Sequence, residues 1–561
     1  MAVIATIAIG LAACSPGAGT NHGSGGSGTP APGPISFTLF ALAELRGQIE
    51  PCGCTTDPLG DLSRTVALVE QARAAGPTVV LDAGSSLYDL SPVPPHRADQ
   101  EKLKAALISN AYRERLKVAA WGLGPADAGL GPTGAGPARQ AINVAADSGF
   151  SVEAPKIIEV GGAKVGVFGV VLPGAIPGLT VGDPGAAATA AIADLRKQGA
   201  QLVVALVQAP SKREAAAFVR ATKGVDVAIA GLGAAAPEPD KIDRRAEQLG
   251  DAWLVVPANR GQILARLDIT LRPGGAPLVD AIGPAAAQDE RARLVKTIAD
   301  LDAQLAGFAK DPSADPSFVA QKQRELDLAK ARDQELAKAP LQAPASGSYF
   351  TFQQVTINKK LACDAAIDGA KADYSKAAGL ANVKAAAARP APVAPPGTAT
   401  YIGVEECDTC HAKEVAFWKT TRHAGAWHTL EESGKQLDYE CTSCHVTGWD
   451  KPGGATMART EGTVDVQCET CHGPGSIHAE AEGKEKPKTL VLKPADELCA
   501  TQCHTPQHSD TFQLQAYLRD VTGPGHGEKF RATLGDGPTG HDLRAAGLAK
   551  AGKELGAGCR K

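Results

Sequence analysis

Thirteen cysteines and twelve histidines carry most of the chemistry available to this 561-residue chain, and they are unevenly spread. Three pentapeptides share one pattern: Cys407-Asp408-Thr409-Cys410-His411, Cys441-Thr442-Ser443-Cys444-His445 and Cys468-Glu469-Thr470-Cys471-His472. Each is C-x-x-C-H. In that pattern two thiols anchor a porphyrin through its vinyl groups and the next histidine reaches the iron. A fourth copy, Cys499-Ala500-Thr501-Gln502-Cys503-His504, has one extra residue between the cysteines. Zinc ribbons also use pairs of C-x-x-C, but zinc does not need a histidine directly after the second cysteine in every copy. The spacing therefore predicts haem c. Three groups sit on the regular motifs and a fourth on the longer one, whose spacer must bulge to bring both thiols to the ring.

All histidines except His22 and His96 lie at or beyond His411. With His411, His445, His472 and His504 as proximal ligands, His423, His428, His478, His508, His526 and His541 remain for the opposite faces of the irons. His541 reads as a solvated loop residue. Methionine occurs only at Met1 and Met457, so at most one haem can be His/Met ligated from within the chain. The others are expected to be bis-His or open, which favours low potentials, since methionine ligation raises them. Leu, Ile, Val and Phe make up roughly 15% of residues 401–530, below the level of about 20% at which a chain lacks a core of its own. The macrocycles must then supply much of the buried apolar area.

Elements that position and locate these motifs come before them. Residues 2–13 are apolar or small and run into Leu11-Ala12-Ala13-Cys14, which resembles a bacterial lipobox. That resemblance implies a signal peptide over 1–14, a diacylglycerol on Cys14 and a Gly/Ser/Pro-rich tether over 15–34. The apolar run is too short to span a bilayer. Lipid anchoring and covalent haem both place the chain in the bacterial cell envelope, on the periplasmic or outer-surface side. The net charge of −4 gives no basis for nucleic-acid binding.

From 35 to 275 apolar runs alternate with amphipathic stretches. Strands are predicted at 37–42, 78–81, 164–171, 202–207, 225–230 and 253–256, and helices at 62–75 and 212–221. This rhythm makes an α/β layered fold. Residues 286–339 read as a helical hairpin: Leu294, Ile298, Leu301, Leu305 and Phe308 form a heptad seam, Asp311–Pro316 breaks it, and a charged helix follows. The hairpin is a candidate dimer contact. A strand-containing extension occupies 340–385, an Ala/Pro linker 386–400, the haem region 401–530 and a tail 531–561. Cys52-Gly53-Cys54 admits three readings: a bridge to Cys363 or Cys559, a metal pair, or a redox-active dithiol.

The order of motifs over about 36–272 resembles the metallophosphoesterase domain of bacterial 5′-nucleotidases, which implies a calcineurin-like phosphoesterase-type sandwich. The metal-binding positions of that family fall on Glu44-Leu45-Arg46-Gly47, Gly84-Ser85, Gly124-Pro125-Ala126-Asp127, Gln208 and Gly231-Leu232-Gly233-Ala234. Two-metal hydrolysis needs a cluster of His, Asp and Asn ligands. Only Glu44 and Asp127 keep carboxylates and Arg46 would repel a cation, so the resemblance implies a degenerate, inactive domain. Residues 401–530 resemble the tetrahaem cytochrome c family of ammonia-oxidising bacteria, on Trp418-Lys419-Thr420-Thr421-Arg422-His423-Ala424, His472-Gly473-Pro474-Gly475-Ser476-Ile477-His478 and His504-Thr505-Pro506-Gln507-His508-Ser509. By that resemblance His423, His478 and His508 are the first candidates for distal ligands, followed by His526 and His428. The expected function is an envelope-anchored multihaem electron carrier between periplasmic or membrane redox proteins. Its rivals are a multihaem reductase of a nitrogen or sulfur oxyanion with one open haem, and a phosphoesterase with a cytochrome appendage.

Overall fold

The computed structural model describes residues 33–561 except 52–53, 234–242, 244, 275–276, 311–314, 483, 485–488, 506–507, 553–558 and 560–561. Cys14, the 1–14 and 15–32 segments, Cys52, Ala234 and most of the 311–316 helix break therefore lie outside the described residues. Those from 34 onward form one compact unit.

Alternation along the first strand sets the architecture. In Ile35–Leu42, Phe37, Leu39 and Ala41 face one way and Phe40 and Leu42 the other, and both faces are buried. A strand buried on both sides must lie between two layers. It sits inside a six-stranded sheet with spatial order 279–281, 349–356, 263–271, 35–42, 78–82, 120–121. A second six-stranded sheet runs 247–249, 252–255, 227–231, 202–208, 163–171, 156–160. Leu39, Leu81 and Leu267 of the first sheet share a core with Val165, Val204 and Ile229 of the second, so the sheets pack face to face. Helices Leu62–Ala75, Ala98–Asn110 and Ala365–Ala387 cover the outer face of the first sheet. Pro184–Lys197 and Lys212–Ala221 cover the second. The result is a four-layer α/β sandwich, the fold class expected from the sequence.

The helices Pro284–Phe308 and Pro316–Lys338 pair antiparallel, with Arg332 on Glu290 at one end and Phe308 against Phe318 at the other. Val295 and Leu328 on this hairpin stay exposed. Tyr349–Thr356 then returns to the first sheet, antiparallel to Ile263–Leu271.

Two segments carry more structure than their sequence suggested. Within 340–385 the dominant element is the helix Ala365–Ala387, which buries Ile367, Tyr374 and Ala378 against the sandwich. Its Lys371 is fully buried, with Nζ 2.9 Å from Asp61 and 3.0 Å from Asp368. Asp61 also caps helix Leu62–Ala75 by accepting from Ser63 N. Lys371→Met would leave Asp61 without its buried cation. A loss of about 3–5 kcal/mol in denaturant unfolding of the sandwich is expected. The tail forms helices Glu528–Thr533 and Gly540–Ala551, and Cys559 closes a disulfide with Cys363 across 196 residues. That pairing removes Cys363 and Cys559 as partners for Cys52 and Cys54. In the chain-entropy view, closing so long a loop contributes on the order of 5 kcal/mol.

Candidate haem sites

Two sets of functional side chains can be located. The first lies where the parallel strands of the sandwich end, the usual place for a site in such sheets. Glu44, Arg46 and Ser85 adopt left-handed backbone there, at φ 56°, 53° and 62°. Non-glycine residues pay for that conformation, and it clusters at active sites, ligand clamps and switch regions. Glu44 is buried and accepts from Gln208 Nε2 at 3.2 Å and Gly233 N at 3.1 Å. The Arg46 guanidinium lies 3.4 Å from it and donates to Gly233 O at 2.7 Å. Burial pushes the Glu44 carboxyl up to about 7, opposed by the Gln208 hydrogen bond and the Arg46 charge. Asp127 is spent on the backbone: it accepts from Ser85 N, Ser86 N, Leu87 N and Gly124 N at 2.7–3.2 Å. The Glu44 and Asp127 carboxylates thus hold loops and a guanidinium.

The second set is the haem-motif region. Its motifs sit at short helix ends. Helix Val404–Trp418 carries the first and breaks at His411 (φ −117°, ψ 40°). The second begins on Tyr439–Thr442, and Cys468–His472 is the third. At the fourth, Glu497–Gln502 stays helical and His504 N bonds back to Cys499 O at 2.8 Å. The extra residue is absorbed by a full turn that sets Cys499 and Cys503 at helical i, i+4 spacing. The motifs meet across the chain: the thiols of Cys407 and Cys468 lie together, as do those of Cys444 and Cys503.

Polar bonds do the work that apolar packing does elsewhere. The Glu469 carboxylate, inside the third motif, accepts from Ile402 N, Gly403 N and Gly475 N at 2.7–3.1 Å. Gln467 accepts from Val404 N at 2.7 Å, and Trp418 Nε1 donates to Val466 O at 2.9 Å. The lead-in to the first motif is therefore fixed to the third.

Histidine rings pair in a regular way. His411 and His478 have ring centres 6.1 Å apart, His423 and His504 6.3 Å, and His472 and His526 6.0 Å. Each pair joins one motif histidine to one from elsewhere. Two metal–imidazole bonds of roughly 2 Å, laid in line with the ring half-widths, put ring centres about 6 Å apart. Protonation fits as well. His445, His472 and His526 have Nδ1 at 2.5–2.7 Å from the carbonyls of Ala426, Val491 and Val521. A carbonyl only accepts, so Nδ1 carries the proton and Nε2 is left as a ligand atom. His478 Nδ1 is buried with no hydrogen-bond partner, as a nitrogen held for a metal would be. The residues present fit covalent haem.

His445 is in no such ring pair among the described residues. His428 is exposed and faces Glu431 and Glu432. His508 bonds Thr505 Oγ1 at 2.8 Å; burial pushes its imidazole down, helped by Arg260 and opposed by Asp89 and Glu440. His541 lies on an exposed helix start.

Residues 406–473 match the cytochrome c554 and c-prime family. The match runs through the first three motifs. Cytochrome c-554 of Nitrosomonas europaea is 32% identical over 137 residues, covering 19% of this chain and 58% of that protein. The chain thus spans under two thirds of that relative's length. Among solved structures, a 5′-nucleotidase precursor from Thermus thermophilus aligns with 75% of this chain and 71% of its own at 16% identity and a TM-score of 0.40. A calcineurin-like phosphoesterase from Bacillus subtilis aligns with 43% of this chain and 86% of its own at 19% identity and a TM-score of 0.34.

Some residues that hold the cytochrome region in place gave no signal in the sequence. Asp510 accepts from Thr56 N at 3.2 Å and Thr56 Oγ1 at 2.6 Å, and Arg544 Nη1 donates to Cys54 O at 2.6 Å. Lys435 pairs with Glu50. These contacts bind cytochrome region and tail to the loop after the first strand. Nothing in their local patterns marks them, because each partner lies hundreds of positions away.

Proposed function

We propose that this chain is a multihaem c-type cytochrome that carries electrons between redox proteins outside the cytoplasm. The observation that supports it most is the set of three histidine pairs, each pairing a motif histidine with one from another segment at 6.0–6.3 Å. In this proposal haem c is held by Cys407/Cys410, Cys441/Cys444, Cys468/Cys471 and Cys499/Cys503. Each haem, when bound, supplies a one-electron Fe(III)/Fe(II) couple, and the protein tunes it by ligation and burial. His411 with His478, His472 with His526 and His504 with His423 are the proposed ligand pairs, and His445 would hold its iron without a partner ring among the described residues. The Cys363–Cys559 disulfide suits an oxidising compartment. No helix among the described residues is long and apolar enough to cross a membrane, so attachment through Cys14 is the proposed anchor. The exposed Val295 and Leu328 make the hairpin the proposed contact with a second copy.

The α/β sandwich is proposed to be a scaffold, since Glu44 and Asp127 are engaged by Arg46, Gln208 and backbone N–H groups. A second reading, reduction of a nitrogen or sulfur oxyanion, is favoured by His445, whose ring has no histidine partner among the described residues. A pyridine haemochrome assay on the purified full chain should give about four haems. Three would remove the fourth motif, and none would remove the proposal. One high-spin haem is expected at His445 under either reading, and reduction of nitrite or another oxyanion by the chain then favours the reductase, whereas ligand binding without turnover favours the carrier. Wholly low-spin, inert spectra would give the iron of His445 a second ligand and remove the reductase reading.

A further inference from the structure

Glu440 is the residue before Cys441, and its carboxylate is held by the α/β sandwich. Lys104 Nζ lies 2.6 Å away and Arg97 Nη2 2.8 Å away. Glu101 takes the other side of both cations, 3.1 Å from Lys104 and 2.9 Å from Arg97. Two cations and two carboxylates balance. Lys104 is 2% exposed and Glu440 39%, so the cation is shielded even though the acid meets some water. Burial pushes the Glu440 carboxyl up, but Lys104 and then Arg97 outweigh it and hold the carboxyl at about 2. Glu440 is therefore charged at neutral pH.

Further contacts fix the same segment. Gln100 Nε2 donates to Asp438 Oδ1 at 2.8 Å, and Gln100 Oε1 accepts from Tyr439 N at 3.2 Å and Asn382 Nδ2 at 2.6 Å. Asn382 also donates to Leu437 O at 2.8 Å, and Lys435 lies 3.5 Å from Asp438 while pairing with Glu50. Helix Ala98–Asn110 thus carries the segment that leads into the second motif. This is the motif whose histidine has no ring partner among the described residues.

Resting on the haem assignment above, we propose that Lys104 and Glu440 form a positioning pair that sets the reduction potential of the haem on Cys441, Cys444 and His445 from inside the α/β sandwich. Reduction adds one negative charge at the iron. A net positive neighbourhood favours the reduced haem and a net negative one the oxidised haem. Removing the Lys104 charge leaves the four-residue cluster at net −1; removing that of Glu440 leaves it at net +1. The two variants must therefore shift the same haem in opposite directions. A purely structural role would damage both in the same sense.

The test is a spectroscopic redox titration of the full haem-loaded chain. In Lys104→Met, the reduced-to-oxidised ratio of one titrating component should fall severalfold at fixed applied potential. In Glu440→Gln, whose amide oxygen still accepts from Lys104, it should rise severalfold. The remaining components should stay in place, and Lys104→Arg should restore the first. Unmoved potentials, shifts of one sign, or all components moving together overturn the proposal. If Lys104→Met does not fold, Glu440→Gln decides alone by the direction of its shift. A haemochrome count on the same samples separates the two levels. Missing haem defeats the functional reading, whereas full haem content with unmoved potentials defeats only the pair.

Discussion

Alanine at His423, His478 or His526, one at a time, should turn one low-spin ferric haem into a high-spin haem that binds CO. Alanine at His428 or His508 should leave the spectrum unchanged. The contrast follows from where the rings sit. Each of the first three faces a motif histidine at 6.0–6.3 Å, and each comes from a different segment of chain. Removing it would leave the motif histidine and both motif cysteines to hold the haem, with one histidine of the pair lost. His478 gives the sharpest case, because its Nδ1 is buried without a hydrogen bond. An unsatisfied buried polar atom costs about 1–3 kcal/mol unless something occupies it. His428 is 71% exposed beside two glutamates, and His508 is engaged by Thr505. Low-temperature electron paramagnetic resonance and CO difference spectra read the outcome directly. Low-spin haem undiminished in all three variants would sink the axial assignment.

The sequence reached the two halves of this molecule by different routes. Helices 62–75 and 212–221 coincide with the structure because each is amphipathic, with a serine or aspartate cap directly before it. The buried strands declared themselves as apolar runs. Helix Ala365–Ala387 stayed hidden despite its helix-favouring alanines, because its buried face mixes Lys371 and Asn382 with Ile367, Tyr374 and Ala378 and so shows no apolar stripe; its role depends on a buried Lys371–Asp61 pair that links positions 310 apart. The C-x-x-C-H motifs stand out in the sequence, since covalent haem attachment would fix their local spacing. The opposite faces stand out less. Local resemblance ranked His508 above His526, whereas the structure sets the His526 ring against His472 and His508 against Thr505. That choice is made by tertiary packing, which a one-residue neighbourhood does not record. The Lys104–Glu440 contact was invisible for the same reason.

The chain produced without haem should keep a folded sandwich and lose the cytochrome region. Among the described residues of 401–530, the buried apolar side chains are Val415, Leu430, Tyr439, Val446, Ala455, Met457 and Ala516. They are few and scattered, and none belongs to the four hydrophobic clusters of the sandwich. What orders the region in their place is polar: Glu469, Gln467 and Asp465 collecting backbone N–H groups. Such bonds contribute about 0.5–1.5 kcal/mol each. Ordering the backbone costs about 1–2 kcal/mol per residue. The hydrogen bonds cannot offset that cost without the apolar area and covalent cross-links that haem adds. The sandwich faces no such deficit, with two sheets burying both faces of their central strands. Limited proteolysis of haem-free protein should therefore cut first between about 401 and 530, while the far-UV signal of the sheets survives and melts cooperatively. The ion pairs to helix Ala98–Asn110 and the Thr56–Asp510 contact should protect the stretches around Glu440 and Asp510 longest. A haem-free chain whose cytochrome region resists protease as well as the sandwich does would show that side chains alone fold it, and would refute the dependence on haem.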